Sequence, residues 1–155
     1  MTEFKQTTAC DEVVYLRVPR EHLEKLRKET QNAYPNETCG LLFGYRDGDC
    51  LIATETEVLP NLDHSSVSFN IDPMDLYKAL VDAEGRGLSL VAIFHSHGMD
   101  ARPSGKDKEF MGWWPVPWLI LSTTNNKFGA FILDKDRCRE VKIRVTKTRA
   151  NRSRE

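Results

Sequence analysis

The chain has 155 residues, of which 40% are hydrophobic and 29% are charged, and its formal net charge at pH 7 is −1. A chain of this length fits one domain that can bury a substantial core without disulfides. The balanced charge and ordinary apolar content do not indicate a nucleic-acid-binding or disordered protein. No apolar run approaches the ~20 residues of a membrane helix, and residues 1–6 lack the layout of a signal peptide. We therefore expect a cytoplasmic protein that binds neither nucleic acid nor membranes.

The four cysteines are widely scattered, at Cys10, Cys39, Cys50 and Cys138. They form no C-x-x-C pair, so neither a zinc knuckle nor a thioredoxin-like motif is indicated. We expect reduced thiols rather than a disulfide framework. Cys39 is predicted to be a small buried packing residue and not a nucleophile.

Hydrophobic periodicity and turn residues divide the chain into short strands and three helices. Strands are predicted at 13–18, 37–45, 50–58, 67–71, 88–94, 118–122, 127–133 and 140–146. Helices are predicted at 19–33, at 73–85 with Asp72 as its cap, and over a short segment that begins at about Ser104. This order predicts one α/β domain over 12–146, with a mixed sheet flanked by helices. Residues 1–11 are interpreted as a flexible lead-in, and 147–155 as a basic tail.

The most informative stretch begins where the predicted strand 88–94 ends. That strand is an almost unbroken apolar run, which is typical of a central strand buried on both faces. His95 and His97 follow, and because strand side chains alternate, both point the same way, roughly 7 Å apart. Asp107 comes ten residues after His97. Two imidazoles and a carboxylate match the three protein ligands of a catalytic zinc, which keeps a fourth position for water.

Each of these residues also has a simpler explanation. A histidine near a strand end is often only hydrogen-bonded, and Ser104 and Asp107 have the spacing of a helix capping box. A metal-dependent hydrolase also needs an acid that does not bind the metal, to accept a proton from water and pass it to the leaving amine. Glu37, which opens the predicted strand 37–45, is a candidate, but spacing alone does not select it over other acids. From these residues alone, a metal site and a purely structural role stay equally open.

The chain resembles the MPN-domain metalloproteases through their JAMM motif. That family pairs a glutamate in an E-x-C-G-L-L-x-G-like strand with H-x-H and then S-x-x-D. The corresponding residues here are Glu37-Thr38-Cys39-Gly40-Leu41-Leu42-Phe43-Gly44, His95-Ser96-His97, Ser104 and Asp107. Further similarities are Phe69-Asn70-Ile71-Asp72-Pro73 and Leu119-Ile120-Leu121-Ser122. The resemblance extends from about residue 12 to residue 146.

The resemblance implies a single MPN domain of cytidine-deaminase-like architecture, with a mixed, mostly antiparallel sheet. It implies that His95, His97 and Asp107 hold one Zn²⁺ with water as the fourth ligand. Glu37 would be the general base and then the acid, and Ser104 would orient the water and stabilise the oxyanion. The implied reaction is hydrolysis of the isopeptide or peptide bond after the C-terminal glycine of ubiquitin or a ubiquitin-like modifier. A proteasome-like or other activating assembly is a further partner that the family suggests.

The chain departs from the family pattern in the loop that follows the second histidine. Members usually have proline there and seven residues before the serine, whereas this chain has Gly98 and six residues, 98–103. A glycine makes the entry to this loop more flexible. No long insertion separates Asp107 from Trp118, so the chain is most similar to the compact prokaryotic members, archaeal or bacterial.

Other hypotheses use the same motif differently. A processing protease for a ubiquitin-like sulfur-carrier precursor would have the same chemistry with another partner. A non-catalytic MPN scaffold typically lacks one of the Glu, His or Asp positions, and this chain keeps them all. A small-molecule deaminase on a related fold would carry a P-C-x-x-C arrangement, which is missing.

Two neighbouring features have weaker functional interpretations. Trp113, Trp114 and Trp118 are expected to pack in the core and loops, although exposed they could line a groove for an extended tail. His64 is a weak candidate for a fourth ligand. Its position in a loop before residues 67–71 is the only argument for it.

Overall fold

A computed structural model of the chain describes residues 13–147, which contain eight strands and three helices. The strands are β1 (Tyr15–Pro19), β2 (Cys39–Asp47), β3 (Cys50–Leu59), β4 (Ser89–His97), β5 (Trp118–Ser122), β6 (Phe128–Asp134), β7 (Arg137–Glu140) and β8 (Lys142–Thr146). The helices are α1 (Arg20–Ala33), α2 (Pro73–Gly85) and α3 (Gly105–Met111). The predicted lead-in, 1–11, lies outside the described residues, as does all of the predicted tail except Lys147.

All eight described strands belong to one sheet, in the order β7-β6-β5-β4-β2-β3-β1-β8. Four pairings are antiparallel: β2 with β3, β2 with β4, β5 with β6, and β6 with β7. The other three, β1 with β3, β1 with β8 and β4 with β5, are parallel. The prediction of a mixed, mostly antiparallel sheet is therefore confirmed, and β4 is central with neighbours on both sides.

The strand period places successive core residues on opposite faces of the sheet. Leu42 and Phe94 belong to the apolar cluster that includes Leu23 of α1, whereas Leu41 and Ile93 belong to the cluster that includes residues of α2. His95 and His97 continue the alternation of Ile93 along β4. They consequently lie on the side of the sheet that α2 covers.

Close backbone approach in the β2–β3 hairpin explains one glycine. A Cβ atom at Gly44 would lie 1.7 Å from the Ile52 carbonyl oxygen, a distance that only glycine avoids. The register shifts between Phe43 and Gly44 at the same place, which marks an irregularity in the ladder. Gly44 in the motif strand is thus required by backbone packing, whatever chemistry the strand carries.

The predicted strand at 67–71 is wrong, because this segment hydrogen-bonds to the preceding loop rather than to the sheet. The Asn61 side chain accepts from the Asn70 amide at 3.0 Å and donates to the Ser68 carbonyl at 3.0 Å. Phe69 and Ile71 nevertheless pack against the core cluster under α2. Their alternation therefore reports which side chains are buried, not strand pairing.

The predicted final strand, 140–146, corresponds to β8, and its first residue, Glu140, ends β7, a further strand that was not predicted. β7 pairs with β6, and β8 pairs with β1. Val141 lies between them, and its amide donates to Ala130 of β6 at 2.8 Å while the next amide donates to Val14 at 2.9 Å. The sheet is therefore curled so that its two edges meet at this residue.

Cys39, Cys50 and Cys138 are free thiols, as predicted, and Cys10 lies outside the described residues. No helix among residues 13–147 combines the length and the apolar content needed to span a membrane.

Candidate active site

His95 and His97 are the last residues of one face of β4, the central strand. They are only 1% and 8% exposed, and their ring centroids lie 5.6 Å apart. His95 stands opposite Cys39 of β2, and His97 stands opposite Ser122 of β5. The strand continues three residues beyond the predicted 88–94, so both imidazoles are held by a paired strand and not by a loop.

Each imidazole has its Nδ1 atom occupied by a backbone carbonyl. His95 Nδ1 lies 3.0 Å from the Ser96 oxygen, and His97 Nδ1 lies 3.0 Å from the Asp100 oxygen. A carbonyl can only accept, so Nδ1 must carry the hydrogen in both rings, and Nε2 of the neutral ring is left with a lone pair. This arrangement, with a backbone acceptor fixing the tautomer, is the one that metal-binding histidines adopt.

Glu37 lies beside His95, just before β2 begins. Its side chain is 5% exposed, and its Oε1 is 3.4 Å from His95 Nδ1. The backbone of Glu37 is held on both sides, because its amide donates to Ser65 at 2.7 Å and its carbonyl accepts from the Asn61 side chain at 3.0 Å. The expectation that Glu37 opens the strand is wrong by two residues, because β2 starts at Cys39.

Asp107 and Ser104 form the capping box of α3. The Ser104 hydroxyl accepts from the Asp107 amide at 3.0 Å, and Asp107 Oδ2 accepts from the Ser104 amide at 2.9 Å. The same Oδ2 lies 3.3 Å from His95 Nε2. Asp107 therefore caps α3, as the spacing predicted, and the same capping geometry places its carboxylate next to His95.

The two carboxylates make His95 a position that favours positive charge. Burial alone would lower the pKa of His95, but the hydrogen bonds and charges of Asp107 and Glu37 outweigh it and raise this pKa to about 9. Burial likewise would raise the pKa of Asp107, yet its contacts with His95 and Ser104 lower it. When no other cation is present, a proton on His95 balances the buried carboxylates.

The family model described as prokaryotic homologs of the JAB domain matches residues 19–134. The chain belongs to this family. Among curated relatives, it is 38% identical over 130 residues to a desampylase of Pyrococcus furiosus, covering 83% of this chain and 89% of that protein. It is 40% identical over 121 residues to a probable TtuB-protein conjugate cleaving protease of Thermus thermophilus, covering 76% of each. A protein of Desulfitobacterium hafniense solved in solution has the same fold, with a TM-score of 0.76 and 32% identity over 85% of this chain and 93% of that chain.

The residues of this JAB-domain protein fit the donor set of a zinc site in their chemistry. Among the described residues, no three His, Cys, Asp or Glu side chains already stand in the arrangement of a metal site. His95 Nε2 is nevertheless buried without a hydrogen-bond partner, although Asp107 Oδ2 lies 3.3 Å away. In the neutral ring, which carries its hydrogen on Nδ1, the lone pairs of Nε2 and Oδ2 face each other, and either a proton on Nε2 or a metal cation between the two atoms removes the conflict. His64, the weak fourth-ligand candidate, is an exposed residue with a positive φ of 46°.

A cavity of about 370 Å³ opens over these groups in the JAB domain. Glu37, His97, Ser104 and Asp107 line it together with Phe69 and Phe110. The two phenylalanines also line an adjoining pocket of about 160 Å³, which is mainly apolar and contains Leu41, Ile71, Leu76, Trp114 and Trp118. The prediction for the tryptophans therefore divides: Trp118 is core, Trp114 is partly buried and lines the pocket, and Trp113 is 77% exposed.

One neighbour of His95, Phe69, was not predicted from the sequence. Phe69 stacks on the His95 ring, with centroids 4.7 Å apart and planes inclined by 21°. The alternation of Phe69 with Ile71 was visible in the sequence, but it predicted a strand and not a partner for the histidine.

Burial, followed by the charges of Glu37 and Asp63, raises the pKa of Cys39 to about 12. Cys39 is therefore a packing residue and not a nucleophile, as predicted.

Proposed function

We propose that this protein is a zinc-dependent isopeptidase of the JAMM type. It would hydrolyse the bond that follows the C-terminal glycine of a ubiquitin-like modifier. The observation that carries the proposal is that Glu37, His97 and Asp107 line one cavity, while the buried His95 ring lies within 3.4 Å of both carboxylates. The named activities of the two relatives, a desampylase and a TtuB-protein conjugate cleaving protease, indicate the class of substrate.

His95 and His97, through Nε2, and Asp107, through its carboxylate, would hold the zinc. A bound zinc supplies a Lewis acid and lowers the pKa of a water molecule towards ~7. The support lies in the tautomers, because both rings donate through Nδ1 and leave Nε2 available. The capping box supports it further, since it orients Asp107 without consuming all of the lone pairs of the carboxylate.

Glu37 would move the proton. Hydrolysis adds the oxygen of water to the carbonyl carbon and breaks the carbon–nitrogen bond, so one proton must pass from the water to the leaving amine. Glu37 lines the cavity, and its backbone is anchored at both the amide and the carbonyl. Because its backbone is held in this way, the Glu37 side chain could accept the proton and deliver it to the leaving amine while the residue stays in place.

Ser104 would stabilise developing negative charge. Its Oγ accepts from the Asp107 amide, so its own hydrogen remains to be donated into the cavity that Ser104 lines. A donor aimed at the carbonyl oxygen of the substrate stabilises the transition state more than the ground state. The adjoining apolar pocket with Trp114 would take side chains of an extended modifier tail.

The decisive experiment measures metal content and cleavage on the same preparation. Purified protein is analysed for zinc by mass spectrometry and incubated with diglycine-terminated ubiquitin-like proteins, including ubiquitin and TtuB, as linear fusions and as isopeptide conjugates. We expect one zinc per chain and release of the intact modifier from at least one substrate. A zinc-loaded protein that cleaves no member of the panel would refute the proposed activity and favour the scaffold hypothesis.

A further inference from the structure

Three consecutive backbone carbonyls, beginning with the last residue of β4, receive hydrogen bonds from one short segment. The carbonyl of His97 accepts from the amide of Thr123 at 2.9 Å and from its hydroxyl at 3.3 Å. The carbonyl of Gly98 accepts from the Thr124 hydroxyl at 2.8 Å. The carbonyl of Met99 accepts from the Ser122 hydroxyl at 2.6 Å. The loop that leads from His97 towards Ser104 is thus held at its beginning by three successive hydroxyl side chains.

The position of Ser122 explains how one segment reaches all three carbonyls. β4 and β5 are parallel, and Ser122 is paired directly opposite His97. Ser122 is fully buried, and its Oγ also accepts from the amides of Thr124 and Asn125 at 3.1 and 3.2 Å. A single buried hydroxyl therefore shapes the turn after β5 and holds the loop after β4.

The loop in turn determines the orientation of the His97 ring. Its Nδ1 donates to the carbonyl of Asp100, at 3.0 Å, and this carbonyl follows the three that are held. A displacement of the loop would move the acceptor, and the ring would rotate with it or lose the bond. The direction in which Nε2 points consequently depends on hydroxyl groups that are themselves outside the described catalytic set.

Packing does not hold the first residue of the loop, Gly98. A Cβ atom at this residue would meet no heavy atom within 4 Å. Glycine also has the widest choice of backbone conformations, and ordering it costs the most entropy. At the far side of the loop the contact is tight, because a Cβ atom at Gly129 would lie 2.4 Å from the Ala101 carbonyl oxygen.

We infer that Ser122, Thr123 and Thr124 are positioning residues for His97. They hold the shortened loop so that the Asp100 carbonyl keeps the Nδ1–H tautomer and Nε2 faces the cavity. The inference rests on the proposed function in one respect, since Nε2 matters because His97 is a proposed zinc ligand. A group that hydrogen-bonds directly to a metal ligand, as the Asp100 carbonyl does to His97, typically contributes about 10–100-fold to metal affinity or activity, and the three hydroxyls act through that carbonyl.

The test compares two variants at Thr124, which is exposed and can change without repacking the core. Thr124→Val keeps the shape and removes the hydroxyl, whereas Thr124→Ser keeps the hydroxyl and is the matched control. Zinc affinity is measured by competition with a chromogenic chelator, kcat and KM are measured on the cleaved substrate, and the His97 Nδ1–H is followed by NMR in metal-free protein. We expect Thr124→Val to lower zinc affinity and kcat by about 10-fold with KM nearly unchanged. The same variant should speed exchange of the Nδ1–H, and Thr124→Ser should match the wild type.

The outcomes separate this inference from the proposed function. If the valine and serine variants have equal zinc affinity and equal Nδ1–H exchange, the positioning role is refuted even though the wild type is an active zinc enzyme. If the wild type binds no zinc, and of the two variants only Thr124→Val loses the protected Nδ1–H, the positioning role of the hydroxyl stands and the proposed function fails. If metal-free Thr124→Val melts at a lower temperature and the resulting unfolded fraction accounts for all of its lost activity, the hydroxyl has only a structural role and the inference is overturned.

Discussion

Replacing Glu37 by glutamine tests the proton-transfer role with the least disturbance of the fold. Glutamine has nearly the same volume, so the buried position, 5% exposed, stays filled. The hydrogen bonds that anchor residue 37 come from its backbone, to Ser65 and from Asn61, and they survive the change. What is lost is the negative charge 3.4 Å from His95 Nδ1 and the ability to accept a proton.

The expected effect falls on the chemical step and not on metal binding. A positioned general base contributes about 10²–10⁴-fold to the rate, which corresponds to roughly 3–5 kcal/mol of transition-state stabilisation. The proposed ligands, His95, His97 and Asp107, are unchanged, so Glu37→Gln should retain zinc. The melting temperature should shift by no more than about 4 °C, which is the effect of about 1 kcal/mol in a domain of this size.

Single-turnover cleavage and zinc analysis of the same sample measure both effects. Glu57→Gln, at an exposed position of β3, is the matched control for loss of one carboxylate and should cleave like the wild type. A Glu37→Gln variant that keeps most of the wild-type rate would refute the assignment of the base. Loss of zinc together with activity would instead make Glu37 a part of the metal site.

Three further predictions concern the ligands, the helix cap and the loop. Combined His97→Ala and Asp107→Ala substitutions should abolish stoichiometric zinc binding, and zinc retained by this variant would contradict the ligand assignment. Ser104→Ala should lower kcat by about 100-fold through the lost donor and stability by about 1 kcal/mol through the lost cap, both recovered in Ser104→Thr, as checked by kinetics and thermal melting. Gly129→Ala should weaken zinc binding in a chelator titration, because its Cβ would stand 2.4 Å from a loop carbonyl, whereas Gly98→Ala enters open space and should not.

Local patterns were sufficient for much of the architecture. The apolar run at 88–94 predicted a central strand, and the structure places β4 between β2 and β5. The Asp-Gly turn predicted the β2–β3 hairpin, and the Ser104–Asp107 spacing predicted the capping box. These features depend on side chains that are near one another in sequence, which is why period and turn chemistry find them.

The errors arose where local alternation has more than one structural cause. Phe69 and Ile71 alternate because both reach the core, yet Asn61 takes the hydrogen bonds that a strand partner would need. Val141 lies inside one continuous period-2 run, but the curled sheet assigns the residues on its two sides to opposite edges. A single sequence shows which side chains are buried and not which backbone groups they bring together.

The sequence by itself determined the chemical inventory: a glutamate before a glycine-containing strand, two histidines on one face of a strand, and a serine and aspartate at a helix start. Only the tertiary structure decided that these groups meet, through the pairing of Cys39 with His95 and the capping box that carries Asp107 to 3.3 Å from that ring. It also decided that Ser122 stands opposite His97, where its hydroxyl can hold the loop. The physical reason is that a residue's type records the chemistry it can perform, whereas strand register over dozens of residues determines which partners lie within a few ångströms.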